Sequence, residues 1–143
     1  MIERSREIDR LIDREIERLK SVTALDKARE LQDRTKRFAL RIIRMFQSLP
    51  RSEEARVLGK QVLRSATSVA ANYRAACRAR SKAEFVSKIG LVVEGADETV
   101  FWLELLIESE IMPETKVKEL LEEANELLSI FAASQQTVKG VKQ

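Results

Sequence analysis

The sequence predicts an all-α protein: an up-and-down antiparallel four-helix bundle with an extra N-terminal amphipathic helix. Apolar residues recur at helical spacing over most of the 143 residues, and no segment shows the alternation of a strand. Apolar residues make up 44% and charged residues 34%, with only four Gly and two Pro, as is typical of helical proteins. Short breaks separate bundle helices of about 23 to 29 residues, so consecutive helices should be antiparallel.

The N-terminal segment, residues 1–20, is predicted to form a charged amphipathic helix. Its apolar side chains share one side of the helix: Ile8, Leu11, Ile12, Ile16 and Leu19. Arginines and acidic residues alternate elsewhere, so the segment is either a basic arm or an ion-paired helix that docks on the bundle or on another copy. A break is predicted at Ser21–Leu25. We assign residues 1–22 to this extension, 23–139 to the bundle and 140–143 to a disordered tail.

Four bundle helices are predicted to follow the extension. Their spans are Asp26–Ser48, Ser52–Arg80, Ser81–Glu110 and Pro113–Gln135. The fourth helix is expected to fray beyond Gln135. Pro50 stops the first helix because proline cannot continue one. Ser81 and Glu84 form a capping box that opens the third helix, and Pro113 suits the first position of the fourth.

Small and polar residues interrupt the apolar stripes of the second and third helices, where a simpler bundle would carry leucine: Ser65, Ala66, Thr67, Ser68, Asn72, Gly90, Gly95 and Thr99. Glycine inside a helix costs about 1 kcal/mol relative to alanine, so Gly90 and Gly95 indicate close contacts between helices or subunits. Asn72, Glu94 and Glu98 lie near the apolar stripes, and we predict that they form a core polar network that fixes the register of the helices.

The composition argues against catalysis. The chain contains no histidine, which removes the commonest general base and metal ligand and every Ser-His or Cys-His pair. It also lacks nucleotide-binding loops, so we expect a protein that is not an enzyme and has no cofactor and no metal site. A single cysteine excludes an internal disulfide. With no apolar run near ~18 residues and a charged N-terminus, we expect a cytoplasmic protein without a membrane partner.

Positive charge is concentrated in the first part of the chain. Residues 1–80 hold 20 Lys and Arg against 11 Asp and Glu, whereas residues 81–143 hold 6 against 12. The candidate nucleic-acid-binding residues lie in rows on the first two bundle helices and at the turn that follows: Arg34, Arg37, Arg41, Arg44, Arg56, Lys60, Arg64, Arg74, Arg78, Arg80 and Lys82. Arginine suits bidentate phosphate contact, and a ring of copies would multiply such rows. Without interleaved aromatic residues, stacking on single strands is not expected.

The same rows admit a second interpretation, in which they serve assembly. The third helix carries an acidic face beside Phe101: Glu94, Asp97, Glu104 and Glu108. This face could meet the arginine row of an adjacent subunit. Phe101 and Trp102 cannot both point inward, because consecutive helical residues diverge by about 100°. The predicted oligomer interface is therefore Gly90, Gly95, Asp97, Phe101 and Trp102. Phosphate binding and assembly both remain open.

The segment 61–73, QVLRSATSVAANY, resembles the signature of bacterial four-helix-bundle proteins called 23S rRNA-intervening-sequence proteins. The similarity continues through two further motifs, Ser81-x-x-Glu84-Phe85-x-x-Lys88 and Glu94-x-x-x-Glu98-Thr99-x-x-Trp102-Leu103-x-Leu105-Leu106. It covers roughly Leu31 to Phe131. Gln32 and Ala75 depart from the pattern, since many relatives carry an aromatic residue and an acid there.

The resemblance implies a cytosolic bundle that assembles as a homopentameric ring. It also implies a distant similarity to the accessory variability determinant of diversity-generating retroelements, which binds nucleic acid and a reverse transcriptase. The predicted function is therefore a non-enzymatic, homo-oligomeric basic scaffold that binds RNA or DNA through phosphate contacts. The alternative is a protein-interaction adaptor, for example an accessory subunit of a reverse transcriptase, with the N-terminal helix as its docking element.

Overall fold

The computed structural model describes residues 2–140, which form four α-helices and no strand. Helix α1 spans Ile2–Gln47, α2 Glu53–Cys77, α3 Lys82–Glu108 and α4 Glu114–Gly140. The chain divides into two compact units, with the boundary between Asp33 and Arg34. In the second unit α3 packs against both α2 and α4. The predicted all-α four-helix bundle is confirmed.

Serine caps begin α2 and α3, and the cap of α3 is the one that the sequence predicts. Ser52 Oγ accepts a hydrogen bond from the Ala55 backbone N–H at 3.2 Å, and Ser81 Oγ accepts one from Glu84 N–H at 3.1 Å. Glu84 Oε2 accepts a hydrogen bond from the backbone N–H of Arg80 at 3.3 Å. The capping box is therefore confirmed, with the glutamate reaching one residue further back than the usual N-cap position.

The predicted break at Ser21–Leu25 is wrong, because these residues are helical and lie within α1. No glycine or proline interrupts the helix there, and Thr23 Oγ1 donates a hydrogen bond to the Leu19 carbonyl oxygen at 2.9 Å within the same helix. The N-terminal segment and the first bundle helix therefore belong to one helix. The division of the chain at residue 22 stays a prediction.

The last helix is longer than predicted. It begins at Glu114, directly after Pro113, and continues to Gly140 instead of fraying after Gln135. The Pro113 carbonyl oxygen accepts a hydrogen bond from Lys116 N–H at 3.0 Å. Pro113 therefore precedes the helix and satisfies one of the N–H groups that its first turn leaves without a partner. Of the predicted tail, residues 141–143 lie outside the described residues.

The core of the second unit is filled by large apolar side chains from all four helices. Those that are no more than 1% exposed include Phe38, Ile42, Val62, Val69, Ile89, Leu103, Leu127 and Phe131. Tyr73 of α2 packs against Phe131 of α4, with ring centroids 4.9 Å apart. In α1, Thr35 and Met45 are buried together with Phe38 and Ile42.

Helices α2 and α3 approach each other closely at a contact between small residues. A Cβ atom on Gly95 would lie 3.2 Å from Val69 Cγ2 and 3.3 Å from the Ser65 carbonyl oxygen, so a larger residue would displace α2. Thr99 Oγ1 lies 2.9 Å from Ser65 Oγ and 2.7 Å from the Gly95 carbonyl oxygen. Both hydroxyls are buried and paired. The small and polar residues of the stripe therefore serve packing between α2 and α3.

The core polar network predicted from Asn72, Glu94 and Glu98 is wrong within the single chain. Glu94 and Glu98 are exposed on α3. Asn72 is half-buried, and its Nδ2 donates hydrogen bonds to the carbonyl oxygen and Oγ of Ser68, at 3.0 and 2.9 Å, in its own helix. Carboxylates are costly to bury without a partner, and the core instead uses the neutral hydroxyl pair of Ser65 and Thr99.

Candidate nucleic-acid interface

One face of α2 carries a row of cations, which we call the α2 row: Arg56, Lys60, Arg64, Arg74 and Arg78. All five are exposed. Steps of three and four, taken through Thr67 and Ala71, keep the row on the side of the helix opposite the buried stripe that includes Val62 and Val69. Within residues 2–140, none of the five cations forms a salt bridge. The charge of this face is therefore not neutralised within the described part of the chain.

The arginines predicted on α1 have different surroundings. Arg34 Nε and Nη2 donate hydrogen bonds to the two carboxylate oxygens of Glu123 in α4, at 2.8 and 2.6 Å, and Nη2 also donates to Glu126 Oε2 at 2.6 Å. Arg41 Nη2 lies 4.0 Å from Oε2 of Glu119, which also belongs to α4. The structure thus gives Arg34 a structural role between α1 and α4 and leaves it poorly placed to bind phosphate.

The pair of Arg34 and Glu123 is partly shielded from water, with side-chain exposures of 31% and 16%. The hydrogen bond from Arg34 lowers the pKa of the Glu123 carboxyl below its ordinary value, although partial burial opposes the shift. The same hydrogen bond raises the pKa of Arg34. Both groups therefore stay charged at neutral pH, and the pair joins the two helices. Arg37 and Arg44 are exposed, and neither forms a salt bridge with another residue of the range 2–140.

A cleft of about 490 Å³ lies where the end of α2 meets the beginning of α3, and we call it the corner cleft. It is lined by Ala71, Arg74, Ala75, Arg78, Arg80, Glu84 and Lys88. Its four cations face a single carboxylate, and that carboxylate accepts the backbone N–H of Arg80 at 3.3 Å. Small alanine side chains form the rest of the lining, so the charged ends of the long side chains have room to reach a ligand. An anion of the size of a phosphate group fits this arrangement.

The corner cleft unites three of the residues predicted from the sequence, Arg74, Arg78 and Arg80, and adds Lys88, which sequence analysis missed. Lys88 follows Glu84 by four residues, and this spacing on a helix places both side chains on one face. That relation to the capping box was the available signal. Lys82 is exposed on the first turn of α3 but does not line the cleft.

The other end of the α2 row borders a different cleft, of about 790 Å³, at the connection between α1 and α2. Arg51, Arg56 and Lys60 contribute its cations, and Phe46 and Leu49 contribute apolar surface. Gly59 lies behind it, where an added Cβ would come within 3.0 Å of Phe46 Cδ1. The α2 row thus connects two clefts that are about 33 Å apart along the helix, given a rise of 1.5 Å per residue from Arg56 to Arg78.

The predicted oligomer interface divides into buried and exposed residues. Gly95 is buried against α2, so its close contact is made within the chain. Gly90 is half-buried, and a Cβ there would meet only Gln135 Nε2 at the ordinary distance of 3.7 Å. Asp97 is exposed, and Phe101 is 51% exposed with its ring packed edge-on against Trp102 at 5.0 Å. Asp97 and Phe101 are therefore available for contact with another molecule.

Two groups on α3 lack a partner within residues 2–140. Trp102 Nε1 is buried without a hydrogen-bond acceptor. The acidic face of α3, which includes Glu94 and Glu104, forms no salt bridge in this range either. Within residues 2–140, the α2 row and the acidic face of α3 are therefore both left without a salt bridge.

Residues 2–140 contain no group of three or more Cys, Asp and Glu side chains arranged to hold a metal ion. None of the helices in this range combines the length and the apolar character that a membrane span requires.

Comparison with known proteins identifies relatives of this fold. A family model described as "23S rRNA-intervening sequence protein" matches residues 27–133. A crystal structure from Bacteroides thetaiotaomicron, described as a protein with unknown function from the S23 ribosomal protein family, superposes with a TM-score of 0.68. Its sequence is 32% identical, and the match covers 73% of this chain and 97% of that one. Comparison with curated proteins gives no match.

Proposed function

We propose that this chain, which belongs to the 23S rRNA-intervening sequence protein family, is a non-enzymatic scaffold that binds RNA or other nucleic acid through phosphate contacts. Membership of the family supplies the fold, and the solved relative is described as having unknown function. The support for nucleic-acid binding therefore comes from the surface of this chain. We expect the protein to act in the cytoplasm without a cofactor.

The observation that carries the proposal is the α2 row together with the corner cleft. Five exposed cations of one helix are left unpaired by the residues described, and two of them converge with Arg80 and Lys88 around a cleft. Guanidinium groups match the geometry of phosphate oxygens, and each phosphate contact releases condensed counterions. The row contains no aromatic residue. This surface therefore suits a polyanion backbone and is not suited to base recognition.

Assembly is the second part of the proposal. The resemblance of the sequence implies a homopentamer, and five copies of the α2 row would bind one nucleic acid more tightly than a single row does. Light scattering of the purified full-length protein should give a mass about five times the chain mass of 16.4 kDa. A monomer at micromolar concentration would contradict the ring.

The test of nucleic-acid binding uses a structured RNA hairpin of about 20 base pairs. Its affinity for the protein is measured by fluorescence anisotropy at a series of salt concentrations. The affinity should fall steeply between about 50 and 200 mM salt. A variant that combines Arg64→Gln, Arg74→Gln and Arg78→Gln should bind about 10 to 100 times more weakly. Its slope of log affinity against log salt should be reduced by about 2 to 3, since each lost phosphate contact removes about 0.7 to 0.9.

A matched control separates local contact from net charge. Arg6→Gln, Arg10→Gln and Arg14→Gln together remove the same charge from the N-terminal unit, where all three residues are exposed. This control should retain most of the affinity. Absence of RNA binding at about 50 mM salt, or equal loss in the two triple variants, would contradict the proposed interface.

The second candidate function is a protein-interaction adaptor, possible partners being a reverse transcriptase or another protein. The observation that favours it is the exposed surface of α3, where Leu91 (41% exposed) and Phe101 (51% exposed) lie among carboxylates. Aromatic residues are enriched at the centre of protein interfaces. Phe101→Ser should abolish capture of such a partner and leave RNA affinity unchanged. If the α2 triple variant alters the oligomeric state and leaves RNA affinity unchanged, the α2 row serves assembly.

A further inference from the structure

The N-terminal part of α1 carries apolar side chains that the rest of the described chain leaves exposed. Every residue from 2 to 27 is exposed. The apolar residues that are between 42% and 56% exposed include Ile8, Leu11, Ile12, Ile16, Leu19 and Val22, and we call them the N-terminal stripe. Helices with such a stripe normally bury it against another surface. All six of these residues precede residue 27, so the stripe lies outside the segment matched by the family model.

The stripe fits a heptad pattern. The core positions a and d are occupied by Ser5, Ile8, Ile12, Glu15, Leu19 and Val22. The outer positions b, c and f between residues 3 and 21 are all polar: Glu3, Arg6, Glu7, Arg10, Asp13, Arg14, Glu17, Lys20 and Ser21. A seam of this kind with a wholly polar outer face is typical of a coiled coil. The two flanking positions, e and g, decide which partner and which orientation fit.

We propose that residues 2–25 pack in parallel against the same segment of a second copy of this chain, as neighbouring copies within one assembly can do. In a parallel pair each g residue faces the e residue five positions later in the partner. Arg4 then faces Asp9 of the second copy, and Leu11 faces Ile16 of the second copy. The first pair thus joins opposite charges and the second joins apolar residues, while in the third Arg18 faces the neutral Thr23 of the second copy.

The antiparallel arrangement pairs the same residues poorly. In the register that overlaps the whole segment, g faces g and e faces e. Leu11 would face Arg18 of the second copy, and Asp9 would face Ile16 of the second copy. Each apolar flanking residue would be set against a charged one, which loses both the apolar contact and the ion pair. The parallel pairing is therefore favoured by charge and by polarity together.

Glu15 is the one charged residue at a core position of this seam. Its carboxylate accepts hydrogen bonds from Arg18 of the same helix, with Nε at 3.1 Å and Nη2 at 2.5 Å. Arg18 occupies a g position, so its guanidinium lies at the edge of the seam and can neutralise the carboxylate there. A polar core residue lowers the stability of a coiled coil and fixes its register. The pairing of the native chain is therefore expected to be weaker than that of an all-apolar seam.

Cysteine cross-linking in the full chain tests the orientation. In a Cys77→Ser background, Ser5→Cys places a thiol at an a position, which faces its own counterpart in a parallel pair. Mild oxidation should link Ser5→Cys chains rapidly, whereas Ser21→Cys, on the outer face, should stay unlinked. Equal linking of both variants, or of neither, would overturn the proposal. Faster linking in a mixture of Ser5→Cys with Val22→Cys than in Ser5→Cys alone would show an antiparallel pair and would also overturn it.

A second measurement tests the seam without cross-linking. Glu15→Leu should lower the dissociation constant of self-association, measured by sedimentation, by at least about tenfold, because it replaces a carboxylate in the seam. Asp13→Leu adds the same apolar side chain on the outer face and should leave the constant unchanged. Equal effects of the two substitutions, or no effect of Glu15→Leu, would contradict the pairing. Neither experiment contains nucleic acid, so its outcome is independent of RNA binding.

Discussion

Arg34 in α1 and Arg74 in α2 belong to rows with the same spacing of three and four residues, but their surroundings differ. Arg34 is held by Glu123 and Glu126 across the bundle. Arg74 is exposed, has no salt bridge within residues 2–140 and lines the corner cleft. Spacing along a helix determines which face a residue occupies. What lies opposite that face decides whether the charge serves stability or is free for a ligand.

The largest difference between the two arginines should appear in stability. Arg34→Gln breaks a bidentate, partly buried ion pair and should lower the free energy of unfolding by about 1 to 2 kcal/mol. Arg74→Gln removes an exposed charge and should change it by no more than about 0.5 kcal/mol. Urea unfolding followed by circular dichroism measures both. Equal losses would mean that the arginines of α1 and α2 have the same structural role.

The pH dependence of this difference should identify its cause. Because the pKa of Glu123 is lower in the folded chain than in the unfolded one, its ionisation stabilises the fold above the ordinary carboxyl pKa of about 4.3. That contribution disappears as the pH falls through the lowered pKa. The stability gap between the native chain and Arg34→Gln should therefore be largest near neutral pH and shrink below about pH 4. A gap that persists unchanged at about pH 2 would assign the loss to packing of the arginine stem.

The smallest expected effect comes from a change that leaves both arginine rows intact. Thr99→Val removes the hydroxyl that lies near Ser65 Oγ and should cost about 1 kcal/mol of unfolding free energy. Thr115→Val, on an exposed position at the start of α4, should cost less than about 0.5 kcal/mol. RNA affinity should be unchanged in both variants. If Thr99→Val weakened RNA binding, the α2 row would depend on the packing of α2 against α3.

Much of the fold could be predicted because its signals are local. Pro50 indicated where α1 ends, and the capping box of Ser81 and Glu84 indicated where α3 begins. The prediction failed at Ser21–Leu25, where a break was expected. Neither residue type nor spacing there prevents helical hydrogen bonding, and the helix continues through the segment.

The candidate site could be predicted only in part, because partners from distant segments carry no local signal. The arginine pattern of α1 does not show that Glu123 lies 89 residues further along and faces Arg34. Glu94 and Glu98 were misplaced for a related reason. A polar residue beside an apolar stripe can lie on either side of its boundary, and the cost of burying a carboxylate favours the exposed side.

The contact of Gly95 and Thr99 with α2 has a consequence for the cations at the corner. Sliding α3 along α2 by one turn, about 5.4 Å, would carry Thr99 from Ser65 to an apolar neighbour such as Val62. The contact between the two hydroxyls would then be lost, at a cost of about 0.5 to 1.5 kcal/mol, while each would keep its bond to a carbonyl of its own helix. Shifts of less than one turn are disfavoured as well, because the close approach of the two helices requires Gly95 to stay opposite Ser65 and Val69. The separation between Arg74 and Lys88 is thus set in the interior, far from the solvent that any bound polyanion would occupy.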